Sequence, residues 1–222
     1  MPPHLGDGHE HDGTETDDLG LSLRPQIDMA RVSCLNEDRP NSGRNVLKLH
    51  EDRLSTTPCL TSNEDDPELL LYIPFTEAVS IHKLSIRSVM QTTLTAAFPT
   101  APPRTVKLFA NRDDLDFDTA HDMQAHCELQ LLSPDHYFEG TLDYPLRPAG
   151  RFQNVSSLTI FFVDNYAPRV RVREEVSTVV TYVGLKGKGS RQKRAAVETV
   201  YESRGMTKDH KVKGEFGNQQ FL

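Results

Sequence analysis

The side chains best suited to chemistry are scattered acids and histidines, one run rich in glycine and lysine, and three cysteines. Near the start, His4, His9 and His11 stand among Asp7, Glu10 and Asp12, and later His50, Glu51 and Asp52 are consecutive. A helical zinc site of the H-E-x-x-H kind needs two imidazoles one turn apart on one face, and neither stretch supplies that spacing. Both are read as solvated polar segments, and no metal or cofactor is expected. Asp114, Asp116 and Asp118 fall at the first three ligand spacings of a calcium loop. Thr119 stands where glycine is needed for the turn and Ala125 where the bidentate glutamate belongs, so Asp113 to Asp118 reads as an acidic turn.

Gly184, Gly187, Gly189 and Ser190 lack the G-x-x-x-x-G-K-[ST] spacing that cradles a phosphate and read as a hairpin turn. Lys186, Lys188, Arg191, Lys193 and Arg194 would make that turn a solvated basic one, with a nuclear-import patch or a contact with nucleic acid as the alternatives. Catalysis by serine wants a G-x-S-x-G elbow or another nucleophile linked to a base, and none is evident. Cys34, Cys59 and Cys127 are odd in number, far apart and without a C-x-x-C pair, which argues against a disulfide framework and a redox motif. An enzyme would need His121, His126 and Asp116 to converge in a cleft. No catalytic residue is assigned.

The elements that must position these groups follow a period of two, which sends alternate side chains to opposite faces of a strand. Leu69, Leu71, Ile73 and Phe75 share a face, with Pro74 suited to an edge strand or a strand end. Val79 and Ile81 keep one phase and Leu84 and Ile86 the other, which predicts a bulge near His82 and Lys83. Residues 91–103 read as a long exposed connection. Val106, Leu108 and Ala110 alternate, as do Cys127, Leu129 and Leu131, and a further short strand is expected at Phe138 to Leu142. Val155 to Val163 is apolar on both faces, so it belongs at the centre, covered on both sides. Val176 to Leu185 is rich in β-branched residues and reads as one strand, and Ala195 to Tyr201 as an edge. A brief helix is expected at Asp28 to Leu35 behind an Asp28 cap. About eight short strands of this kind describe an all-β, antiparallel jelly-roll β-sandwich.

With 222 residues, 36% of them apolar, the chain has room for one core. Polar, apolar-poor composition predicts flexible tails at 1–20 and 204–222 around a domain at 21–203. The net charge of −7 disfavours nonspecific attraction to nucleic acid or anionic membrane. No basic start followed by an apolar stretch suggests a secretory signal, so cytoplasm or nucleus is expected. The sequon at Asn154 to Ser156 is read as a chance match at the start of a strand.

Several stretches then carry a resemblance: Cys34-Leu35-Asn36-Glu37, LLLYIPFT at Leu69 to Thr76, VKLFANRDDLDFD at Val106 to Asp118, RFQNVSSLTIFF at Arg151 to Phe162, and YVGLKG at Tyr182 to Gly187. In this order and spacing the chain resembles the PITH family, whose domain also forms the C-terminal half of a proteasome-associated thioredoxin-like protein. The resemblance implies a jelly-roll sandwich without catalytic residues and, from the thioredoxin-linked relatives, docking to the 26S proteasome. No thioredoxin domain is found ahead of the resembling stretches, so a stand-alone, noncatalytic adaptor is the expectation. Lys188 stands where relatives often place an acid, and residues 91–103 have a composition of their own. The interaction residues expected are Asn36 and Glu37, the acidic Asp113, Asp114, Asp116 and Asp118, and the basic Lys186, Lys188 and Arg191. Two alternatives are a sugar- or peptide-binding jelly roll, disfavoured by the lack of Trp, and a nuclear regulatory adaptor.

Overall fold

A computed structural model describes residues 22–64, 66–89, 100–133, 141–167 and 176–189. They belong to a unit spanning residues 1–191; the other unit, residues 192–222, lies outside them. The expectations for both tails, for a strand at Ala195 to Tyr201 and for Phe138 therefore fall outside the described residues, as do His4, His9, His11 and Arg191.

Among the described residues there are ten strands: β1 Ser33–Leu35, β2 Leu60–Thr61, β3 Leu69–Arg87, β4 Thr100–Ala101, β5 Pro103–Ala110, β6 Cys127–Gln130, β7 Leu142–Pro145, β8 Val155–Asn165, β9 Ser177–Val180 and β10 Tyr182–Gly189. Two short helices, α1 Ser42–Asn45 and α2 Phe117–Asp122, accompany them. The larger sheet runs β1-β3-β8-β5-β6, with β10 and β7 also paired to β3, and the smaller runs β2-β9-β4. Pairing is antiparallel except between β4 and β9. This is the expected antiparallel jelly-roll β-sandwich, and no described helix is long and apolar enough to cross a membrane.

Strand β3 organises the larger sheet. Its first half pairs with β1 and β8, and its second half with β10 and β7. The change falls between Pro74 and Val79, where the register with β8 shifts. Pro74 is thus neither an edge residue nor a strand end. It sits between β3's two sets of partners, where a residue without an amide donor is tolerated, and its carbonyl accepts from the Asp28 amide at 2.9 Å. The bulge expected near His82 is present: Gly187 faces Ile81 and Lys186 faces Lys83, leaving His82 as the extra residue. That slip puts Val79, Ile81, Leu84 and Ile86 all into the core.

Inward side chains gather into one core, including Leu69, Leu71 and Ile73 of β3, Val106 and Leu108 of β5, Leu158, Ile160 and Phe162 of β8, and Val183 and Leu185 of β10, with Leu60 and Val180 from the smaller sheet. Fully burying each such side chain stabilises by about 1.5–3 kcal/mol. The opposite face of β8 presents Phe161 to a second cluster with Leu70, Phe109 and Ala120, roofed by Leu115, Phe117 and Met123. β8 is therefore central and covered on both sides, as its two-faced apolar pattern predicts.

Four local expectations are corrected. Residues 29–31 form a turn and Ser33–Leu35 a strand where a helix was expected, because β3 offers Cys34 and Leu35 a ladder facing Leu71 and Leu70. The connection to Pro103 is not exposed at its end, since Thr100, Ala101, Pro102 and Pro103 are buried and Thr100–Ala101 pairs with β9. Val176 to Leu185 is two strands in different sheets, broken at Thr181, whose amide and hydroxyl both donate to the Arg87 carbonyl. Gly184, Gly187 and Gly189 lie within β10 and make no hairpin turn. At Gly187 a Cβ would collide with the Ser80 carbonyl oxygen, so the residue is set by close strand approach at the bulge.

Candidate functional site

Asn36 and Glu37 close the end of β1. Asn36 adopts φ 65°, a conformation that Asn tolerates better than most residues. Its Nδ2 donates to the Glu68 carbonyl at 2.7 Å, and its Oδ1 accepts from Asn63 at 2.7 Å. Glu37 accepts from the Asn41 amide at 2.5 Å, the Gly43 amide at 2.8 Å and the Ser42 hydroxyl at 3.2 Å. One carboxylate thus satisfies the amides that open α1, which its own N-cap side chain leaves unbonded. A Cβ on Gly43 would lie 2.7 Å from Cys34 Cβ, so this corner closes only around glycine. The pair holds the scaffold, and its polar atoms are engaged inward.

The acidic stretch is half helix. Asp116 caps α2, accepting from the Thr119 amide at 2.8 Å, while Leu115 and Ala120 meet in the outer cluster as a staple across the helix start. The C-terminal carbonyl of His121 accepts from Lys107 Nζ at 3.2 Å. Sequence reasoning missed this helix because the aspartates were read as a turn; the signal was Asp116 three residues before Thr119, with Leu115, Phe117 and Ala120 apolar. Asp114 forms a two-point pair with Arg112 at 2.8 and 2.9 Å. That pairing holds the Asp114 carboxyl below its ordinary range, and the Thr119 hydrogen bonds do the same for Asp116. Asp113 and Asp118 are exposed.

The basic residues separate. Lys188 is exposed, but Lys186 is only 6% exposed and points onto Asp143 of β7 at 2.7 Å. Asp143 also accepts from Ser85 at 2.5 Å and faces Lys83 at 3.8 Å, so three strands share one polar cluster. Lys186 is therefore not part of a solvated basic turn: β10 continues through it and the neighbouring carboxylate permits its burial.

The histidines and cysteines are likewise engaged. His121 Nε2 lies 2.7 Å from Glu68 and its ring meets Phe161 edge-on at 4.9 Å. Through Glu68, α2 is joined to the Asn36 corner. His126 Nδ1 accepts from the Ala110 amide at 2.8 Å, and burial, with Arg151 and Arg112 nearby, pushes the imidazole below its ordinary value. Cys34, Cys59 and Cys127 are free and half-buried, with burial pushing the Cys34 thiol far up. Among the described residues no group of three or more His, Cys, Asp or Glu could hold a metal ion.

The loop between α1 and β2, which carries no motif, also lies on the surface. Leu49 and Leu54 are 49% and 46% exposed on either side of the 3-10 turn His50–Asp52. Leu35 and Leu132 are the other large apolar residues exposed among those described.

Comparison with known proteins places this geometry. A solved structure holding the CBM32-1, CBM32-2 and M60 catalytic domains of Clostridium perfringens ZmpB overlays with a TM-score of 0.51 at 10% identity, covering 81% of this chain and 16% of that one. That likeness concerns the fold alone. In sequence, a PITH domain-containing protein 1 of Xenopus laevis is 32% identical, covering 94% of this chain and 95% of its own length. A Dictyostelium discoideum protein of the same name is 28% identical over 94% of this chain and 93% of its own. With the PITH domain model also matching residues 13–205, the sandwich built around β3 and β8 belongs to the PITH family.

Proposed function

We propose that this PITH protein is a noncatalytic adaptor that works by binding another protein, in the cytoplasm or nucleus, with the 26S proteasome regulatory particle the first partner to test. One observation supports the reading most. The groups a catalyst would use are each taken up by structural hydrogen bonds: Glu37 and Asp116 hold the starts of α1 and α2, and His121, His126 and Lys186 join separate segments. A catalytic constellation would need such groups to converge on a common point with capacity left for a substrate. The exposed residues are instead charges and aliphatic side chains on loops held by a rigid scaffold, the usual setting of an interaction surface.

The test is affinity purification of the tagged full chain from its own cells, followed by binding of the purified chain to purified 26S proteasomes. Proteasome subunits should be recovered together, and direct binding should follow. Repeated recovery without them, with no direct binding, would remove the proteasome from the proposal and leave the adaptor reading to whichever protein is recovered.

A further inference from the structure

The Leu47 to Cys59 loop exposes two leucines without being slack. Arg24 Nε donates to the Leu47 carbonyl at 2.6 Å, Lys48 Nζ to Ser55 at 2.8 Å, Arg53 to His50 at 3.0 Å and Arg87 to Leu54 at 2.8 Å. Ser55 Oγ donates to Thr57 at 2.6 Å, and the Val46 carbonyl anchors the loop base by accepting from Val183. Four cationic side chains therefore fasten the backbone from which Leu49 and Leu54 project.

These contacts also set a local field. A carbonyl accepts a hydrogen bond but carries no net charge, so the clamps leave the cations' charge in place. Only Glu51 and Asp52 oppose it within the loop. Burial first, and then the charge of Arg87, press the Lys48 amine below its ordinary value, against opposite pulls from Cys59 and Asp52. Four clamping cations against these two carboxylates leave the loop and its clamps with a net positive charge, in a chain whose own net charge is −7.

We propose that Leu49 and Leu54 anchor a protein-docking surface whose partner is a folded protein presenting an apolar pocket rimmed by carboxylates. A loop already fixed in one shape loses little freedom on binding, so its anchors contribute most of what their burial yields. Apolar anchors beside charged groups follow the usual anatomy of an interface, and the sign of that charge selects an acidic partner surface. An anionic membrane is the weaker candidate, because the whole chain's negative charge opposes approach to it. The inference deepens the adaptor reading and rests on it, but it does not require the partner to be the proteasome.

The test places p-benzoylphenylalanine at Leu49 or at Leu54 of the full chain, cross-links in the cells of origin, and maps the adducts by mass spectrometry. Both positions should mark one protein, on a surface where Asp or Glu flank aliphatic residues. With that protein purified, the Leu49→Ser, Leu54→Ser double variant should bind at least about tenfold more weakly. Its melting temperature should stay within about 2 °C of the unaltered chain. Adducts spread over unrelated proteins, or equal binding of the double variant, overturn the proposal. So does leucine-dependent binding to vesicles of about one third phosphatidylserine with no protein adduct. If purified 26S proteasomes bind the chain and the double variant alike, the docking loop fails while the adaptor reading stands. If proteasomes bind neither, and an acidic-rimmed protein binds only through the leucines, the loop stands and the proteasome does not.

Discussion

The corner at Asn36 and Glu37 and the loop from Leu47 to Cys59 are close in sequence and use their polar groups in opposite ways. At the corner, one carboxylate gathers amides and a hydroxyl inward around Gly43, and little chemistry is left for a partner. On the loop, cations donate to carbonyls of the loop itself, and the apolar side chains are left outside. The corner lies in a stretch by which the family can be told, while the loop contains no motif. A recognisable run can therefore mark what builds the scaffold, and the surface free to bind can lie in the less distinctive segment next to it.

The comparison predicts that scaffold substitutions act on stability and loop substitutions on binding. The largest effect is expected at the centre: Ile160→Asp puts an unpaired charge into β8 and should cost more than about 4 kcal/mol, enough to unfold much of the population against a usual stability of roughly 5–15 kcal/mol. An unchanged melting temperature would show that β8 is not what the larger sheet rests on. At the corner, Glu37→Ala strands the buried Gly43 amide and the Ser42 hydroxyl and should cost about 2–3 kcal/mol in denaturant titration, with Glu37→Gln recovering part of it. A loss under about 0.5 kcal/mol, the size typical of surface sites, would remove the contrast with the loop.

A smaller effect tests the scaffold elsewhere, by pH. The folded chain holds His126 below the ordinary value of 6.5, so its neutral form is favoured by folding. The corresponding stability is complete above about pH 6.5 and is lost as pH falls through the lower folded value, because the unfolded chain takes up the proton first. His126→Asn, which keeps an acceptor but does not titrate, should flatten the decline of melting temperature between neutral and mildly acidic pH. An equal slope in both proteins would exclude His126 as its source. The smallest effect is expected from Asp113→Lys with Asp118→Lys: both residues are exposed, and the melting temperature should move by no more than a few degrees. A larger fall would assign the acidic stretch a scaffold role beyond the cap at Asp116.

How far the sequence could be read follows from how local each signal is. The two-faced apolar pattern of β8 and the phase slip around His82 are written in adjacent residues, and the structure has both. The turn at residues 29–31, the break at Thr181 and the burial of Lys186 depend on distant partners, respectively Pro74, Arg87 and Asp143, which no window of the chain contains. Helix α2 lies between these cases, since its cap and staple are local but short. The exposure of Leu49 and Leu54 was not legible, because an apolar residue in a loop carries no mark of whether the core will take it up.

The sharing of β3 between two sets of partners has a consequence for how the domain comes apart. A strand that pairs with β1 and β8 at one end and with β10 and β7 at the other ties all four partners into one sheet, so neither end can open without loosening the strand that serves the other. Breathing motions that expose backbone amides to exchange with solvent should therefore be shared across the sheet, so that the amides of Leu71 and Ile86 acquire deuterium at the rate of global opening. The same arrangement makes folding wait on pairings between residues far apart in the chain, such as Leu71 with Ile160 and Leu84 with Leu185, and so places the domain among the slower-folding topologies.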